Sequence, residues 1–173
     1  MTANLEDFIV ADAMVEPVIA VPVQQTIDQV AQLFDQQRIH AAPVVDAEGV
    51  CVGIITSSDV IKFEAVREER ENLLQHGAEF DRARYDNPGL VQAEESGSRE
   101  IGPTLSEAFA QVNYHMTRDF QTVTEGTSLA LAAEQMWSQS LHHLLILDDL
   151  RRPRAILSAL DILRFLTPAG AED

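Results

Sequence analysis

The chain has 173 residues, 46% hydrophobic and 23% charged, with eight Gly and seven Pro, a balance that excludes a wholly disordered or fibrous protein. With 28 acidic against 12 basic residues, its formal net charge is −16. Such a charge repels phosphate backbones and anionic bilayers at long range, so neither nucleic acid nor membrane is an expected partner. A small phosphate ligand in a locally positive pocket stays possible. The N-terminal MTANLEDFIV has no basic n-region followed by an apolar stretch, and no apolar run approaches the ~18–20 residues of a membrane helix. The expectation is a soluble, cytoplasmic protein. Cys51, the sole cysteine, has no internal disulfide partner and sits in an apolar run, where a buried inert thiol is expected.

In chain order, Val18-Ile19-Ala20-Val21 predicts a short extended piece. A helix follows from about Thr26 to Arg38, opened by the capping box Thr26-Ile27-Asp28-Gln29, with Ile27, Val30, Ala31 and Phe34 at helical spacing. Two apolar runs, Ala42 to Val45 and Val50 to Ile55, predict strands. They are joined by Asp46-Ala47-Glu48-Gly49, a turn in which Gly accepts positive φ easily. A helix begins near Ser58, and Glu64 to about Arg84 also reads as helix, stopped by Asn87-Pro88-Gly89. Thr104-Leu105-Ser106-Glu107 then opens another helix, through Ala108, Phe109 and Val112. A connection of this length suggests a helical arm that covers the module or touches a partner; passive linkage is equally open.

The remaining third of the chain repeats the first. Residues 11–63 fall on residues 113–165 without a gap, at one offset (142 − 40 = 102). Met14 falls on Met116, His40 on His142, Asp46 on Asp148, Thr56 on Ser158, Asp59 on Asp161 and Phe63 on Phe165. Each copy reads β-α-β-β-α, the second through Gln121-Thr122-Val123, a helix from about Ser128 to Ser140, strands at Leu144 to Leu147 and Ala155 to Leu157, and a helix from near Leu160.

The recurring hinge Thr56-x-x-Asp59, with its counterpart Ser158-x-x-Asp161, admits two readings. As a cap, the hydroxyl satisfies a free backbone N–H for about 0.5–2 kcal/mol and the carboxylate complements the helix dipole. As a ligand site, the helix N-terminus attracts an anion, and the carboxylate accepts hydroxyls of a ribose. One residue can do both.

Together, Met14, Pro43-Val44-Val45-Asp46 and Gly53-Ile54-Ile55-Thr56-x-x-Asp59, present in two copies, resemble the CBS (cystathionine β-synthase) motif and its paired form, the Bateman module. The resemblance covers residues 8–64 and 112–167, with 65–111 as a helical insertion. It implies an α/β (α+β) fold in which two motifs pack by pseudo-two-fold symmetry. It implies clefts that bind an adenosine ligand such as AMP, ADP, ATP or S-adenosylmethionine, no catalysis, no metal and no resident cofactor. It also implies control of an unknown protein partner, and a homodimer. By resemblance, Asp59 and Asp161 match the ribose-binding Asp, Thr56 and Ser158 its hydroxyl neighbour, and Ile19, Ala20 and Ala42 join the ligand-facing set. Arg38-Ile39-His40-Ala41-Ala42-Pro43 resembles the Lys-Ile-His-Arg-Leu-Pro type of segment in the γ subunit of AMP-activated kinase, whose His and Arg contact phosphates. His40 matches the His and Ala41 replaces the Arg, whereas His142 and His143 fill both positions in copy two. An imidazole can donate to a phosphate and adds charge when protonated; partly exposed histidines bonded to backbone are the other reading. Departures fall in copy two, where Leu145 replaces Pro43, Ala155 replaces Gly53, and the turn carries Arg151-Arg152-Pro153-Arg154. The competing function is a ligand-free interaction module. No Ser-His-Asp set, Cys-His set, metal motif or Walker loop appears outside the repeats.

Overall fold

The computed structural model describes residues 4–75 and 110–166. A 3₁₀ turn at Leu5–Asp7 and a one-turn helix α1 at Val10–Ala13 precede β1 (Val21–Pro22). Then come α2 (Ile27–Gln37), β2 (Ala41–Val45), β3 (Cys51–Thr56) and α3 (Ser57–Gln75). A 3₁₀ turn at Val112–Tyr114 leads to α4 (Leu129–Ser138), β4 (His143–Leu147), β5 (Pro153–Ser158) and α5 (Ala159–Arg164). Strands β1, β2 and β3 form one sheet in that order, and β4 and β5 form an antiparallel pair.

The element order agrees with the sequence reading, with three differences. Gln121-Thr122-Val123, expected as the first extended piece of the second copy, forms no strand and makes only an isolated parallel bridge from Thr122 to Leu145. The helix expected near Ser58 and the one expected from Glu64 are one continuous α3, because no breaker interrupts Ser57–Gln75; residues 76–84 lie outside the described set. The helix expected to run through Val112 instead gives a 3₁₀ turn there. The Val112 N–H is drawn off to the Gln25 carbonyl at 2.8 Å, and the side chain is fully buried. The capping box at Thr104-x-x-Glu107 lies outside the described residues.

Local chemistry explains the ends. Thr26 and Gln29 make a reciprocal box, with Thr26 N–H on Gln29 Oε1 at 3.0 Å and Gln29 N–H on Thr26 Oγ1 at 3.3 Å. Asp46 Oδ1 accepts the Glu48 and Val50 N–H groups, and Asp148 Oδ1 accepts those of Leu150 and Arg152. The repeat extends to backbone handedness. Arg38 and Ser140, equivalent helix ends, have φ of 54° and 55°, and Gly49 and Arg151, equivalent turn positions, have φ of 81° and 59°. A side chain in this region costs roughly 1–2 kcal/mol. We therefore expect Arg151→Gly to stabilise by up to about 1 kcal/mol after the entropy of glycine is charged against it. That is a rise of about 2–4 °C in melting temperature, and an unchanged or lower value in a thermal melt contradicts it.

The described residues gather into two units, and neither is a copy. One lies within Met1–Val21, Ala42–Ile54 and Thr117–Asp173, the other within Pro22–Ala41 and Ile55–Met116. The first holds a core of Val10, Val123, Leu129, Ala132, Met136, Leu144, Ile146, Ala155, Leu157 and Ile162, against which Leu5, Phe8 and Phe165 pack. Alternation places Ala155 and Leu157 inward on β5, while the middle of β4 is buried throughout. In the second unit α2 packs on α3. Phe63 is buried there, with its ring edge-on to His115 at 5.0 Å and under the Arg67 guanidinium, which also pairs with Asp28 at 3.0 Å.

The first segment of each copy is hydrogen-bonded to the other copy. Val10 N–H bonds to Thr127 O at 2.8 Å, Ala11 N–H to Glu125 O at 3.0 Å, and Leu129 N–H to Phe8 O at 2.9 Å. The repeat-equivalent bonds are Val112 N–H to Gln25 O at 2.8 Å, Asn113 N–H to Val23 O at 3.2 Å, and Ile27 N–H to Ala110 O at 2.8 Å. Val15 pairs with Ile156, and Thr117 with Ile54.

Cys51 is buried, as expected, with Sγ 3.5 Å from Gly53 O. Burial pushes its thiol above the ordinary 9.0, against the opposing pull of the Gly53 bond and of Arg151. Thiolate alkylation is accordingly expected to be slow in the native protein at pH 8 and rapid after unfolding. Equal labelling rates with and without denaturant contradict this.

Candidate functional site

The two hinges are strand-to-helix junctions. At the first, β3 ends at Thr56 and α3 starts at Ser57. Asp59 Oδ2 accepts both the Thr56 N–H at 2.9 Å and the Thr56 hydroxyl at 2.7 Å. Oδ1 faces the exposed Lys62 ammonium at 3.9 Å, a loose pair of small energetic value. Asp59 is only 9% exposed. A carboxylate this buried is tolerable because its donors are in place. One oxygen therefore holds the hinge, and the other has accepting capacity left.

The second hinge repeats this. Ser158 N–H and hydroxyl donate to Asp161 Oδ2 at 2.8 and 2.6 Å, and Asp161 N–H returns a bond to Ser158 Oγ at 3.2 Å. The carboxylate arm of the cap is present in both copies, and the full capping box, with the hydroxyl accepting the Asp N–H, is formed at Ser158. The arm occupies Oδ2 of each carboxylate, which leaves the capping and ligand-binding readings compatible.

The histidines lie beside the hinges. His40 is exposed, and its carbonyl accepts the Ser57 N–H at 2.9 Å and the Ser57 hydroxyl at 3.3 Å. Ser57 Oγ also lies 3.5 Å from His40 Nδ1. Ser57 was missed in the sequence because its equivalent is Ala159, so comparing the copies hid it. Ala159 N–H keeps the backbone bond, to His142 O at 2.9 Å. His142 is exposed, and the half-buried His143 pairs in register with Ser158. First-hinge residues His40, Thr56, Ser57 and Asp59 thus form one cluster, and His142, His143, Ser158 and Asp161 another. Ile19 and Ala20 are half-buried just before β1, whereas Ala42 is fully buried in β2 and has no free side-chain surface.

Arg154, on β5, plays a different part. Arg154 Nε bonds to Glu16 Oε1 at 3.0 Å and its Nη1 to Glu125 Oε1 at 3.0 Å. The Glu16 hydrogen bond, then the Glu125 charge, raise its already high pKa. This side chain ties residues ahead of β1 to β5 and is not offered to a ligand. Among the described residues, no group of His, Cys, Asp and Glu could hold a metal ion, and no helix is long and apolar enough to cross a membrane.

The CBS domain family profile matches residues 10–65 and 110–168. A relative in sequence is the inosine-5'-monophosphate dehydrogenase of Thermoplasma acidophilum, 34% identical over 92 residues, which are 51% of this chain and 19% of that protein. The chain therefore spans under a fifth of that relative. Among solved structures, the CBS domain pair of protein MJ0100, in complex with 5'-methylthioadenosine and S-adenosyl-L-methionine, superposes with a TM-score of 0.62 at 22% identity, covering 91% of this chain and 94% of that one. CBSX2, in complex with AMP, gives a TM-score of 0.62 at 17% identity, covering 91% and 94%. The fold is that of an α+β CBS pair. The two profile matches take in both copies and more than half the chain, and the protein belongs to the CBS-domain family.

Proposed function

We propose that the protein is a non-catalytic regulatory module that binds an adenosine-containing ligand at its hinges and passes occupancy to a partner protein in the cytoplasm. The observation that carries this is the carboxylate geometry. In both copies an Asp locks the hinge through Oδ2, and at Asp59 the other oxygen faces, among the described residues, a loose pair with Lys62. A carboxylate oxygen in that position suits a ribose diol. His40 and Ser57, or His142 and His143, add donors for a phosphate. AMP, ADP, ATP and S-adenosylmethionine form the ligand class, and the complexes described above, of MJ0100 and CBSX2, support it. Binding acts by favouring one conformation of the module over another.

A thermal-shift panel of AMP, ADP, ATP and S-adenosylmethionine tests the reading. Ligand at 100 times its Kd stabilises by about 2.7 kcal/mol, so at least one compound is expected to raise the melting temperature by several degrees. A flat response across the panel leaves the ligand-free interaction reading in its place.

Self-association belongs to the same proposal. Leu160, Leu163 and Leu166 follow one another at three-residue spacing on and just after α5, at 67%, 52% and 42% exposure, an apolar stripe that a second copy would cover. Leu160→Ser with Leu163→Ser is expected to shift a homodimer to monomer in sedimentation. A wild-type monomer, or a variant that stays dimeric, opposes that assignment.

A further inference from the structure

We propose that the protein opens and closes locally in crossed units, so that the start of each copy moves with the hinge of the other copy. Residues 8–15 belong by sequence to copy one, yet their backbone bonds run to Thr127, Glu125, Leu129 and Ile156. Val10 is fully buried within the copy-two core beside Leu129 and Leu157, and Phe8 lies against Phe165 with ring centroids 4.8 Å apart. Arg154 adds the ion pair to Glu16. Residues 110–117 make the same exchange into copy one, through Gln25, Val23, Ile27 and Ile54, with Val112 fully buried.

Cooperative opening follows hydrogen bonding and burial, not sequence neighbourhood. When residues 8–15 detach, the Leu129 N–H at the head of α4 loses its acceptor. The Ile27 N–H at the head of α2 keeps its own, on Ala110. The device goes beyond the ligand reading but extends it: if that reading holds, a ligand at Ser158–Asp161 braces residues 8–15, and one at Thr56–Asp59 braces residues 110–116. Each hinge then reports at the start of the opposite copy. This is a physical route by which occupancy could reach a partner touching either segment.

The test needs no ligand, so its failure is separable from failure of the adenosine reading. Amide hydrogen exchange is measured on the full chain with Val10→Ala and, separately, Val112→Ala. Val10→Ala is expected to speed Leu129 exchange by about tenfold or more and leave Ile27 within about twofold; Val112→Ala gives the mirror result. Phe8→Leu, milder and only partly buried, reports at the same Leu129 amide should Val10→Ala unfold the chain. If each substitution loosens the helix of its own copy, or loosens both helices equally, the crossed-unit proposal is overturned.

Discussion

Asp59→Asn is expected to weaken binding of an adenosine ligand at the first hinge by about 100-fold or more, with the fold retained. Hydrogen bonds to a charged group are worth about 1.5–3 kcal/mol each. Two ribose hydroxyls on one carboxylate therefore represent about 3–6 kcal/mol, and each 1.4 kcal/mol is a factor of ten. Stability responds differently because the amide oxygen of Asn can still accept the Thr56 N–H and hydroxyl that Asp59 Oδ2 accepts now. The lost charge near the start of α3 costs about 0.3–1 kcal/mol. Asp59→Ala removes the acceptor altogether and leaves the N–H and hydroxyl of the half-buried Thr56 without it, for a loss of about 1–3 kcal/mol. Calorimetric titration alongside thermal melts separates the two roles. An Asn variant that binds as tightly as wild type makes the carboxylate a cap alone.

Leu144→Ala carries the largest expected effect on stability. Leu144 is fully buried in the middle of β4, opposite Leu157 in the antiparallel register, and both lie in the core of the first unit. Truncation removes buried methyl groups and leaves a cavity that the paired strands cannot readily close, at about 2–5 kcal/mol. That is a large share of the roughly 5–15 kcal/mol typical of a domain. Leu150→Ala is the matched control: at 65% exposure on the β4–β5 turn, it is expected to change stability by less than about 0.5 kcal/mol. Urea unfolding gives both numbers, and similar small losses for the two would contradict the assigned core.

The repeat made much of this architecture legible. One offset carried Thr56 onto Ser158 and Asp59 onto Asp161, and at both hinges the Asp Oδ2 accepts the N–H and the hydroxyl of the residue three before it. Capping boxes and turn residues are local chemistry, so Thr26-x-x-Gln29 and the Asp46 turn could be read directly. Arg151 could not. Its left-handed backbone is imposed by a turn whose usual residue is the Gly49 of copy one. The crossing of first segments was also invisible, because the partner of Val10 is Thr127, and periodicity says nothing about pairing over such a separation. Ser57 was hidden for a third reason: reading for what recurs discards what only one copy has, and here that is the hydroxyl bonded to the His40 carbonyl.

The central claim, an adenosine ligand held by the hinge carboxylates, is most directly tested by titrating the intact chain with AMP and with S-adenosylmethionine in a calorimeter. The Asp59→Asn, Asp161→Asn double variant is run in parallel. The account predicts saturable binding of at least one of these ligands to the wild type, lost in a double variant that still melts cooperatively. No detectable binding at millimolar ligand, or equal binding by both proteins, contradicts it.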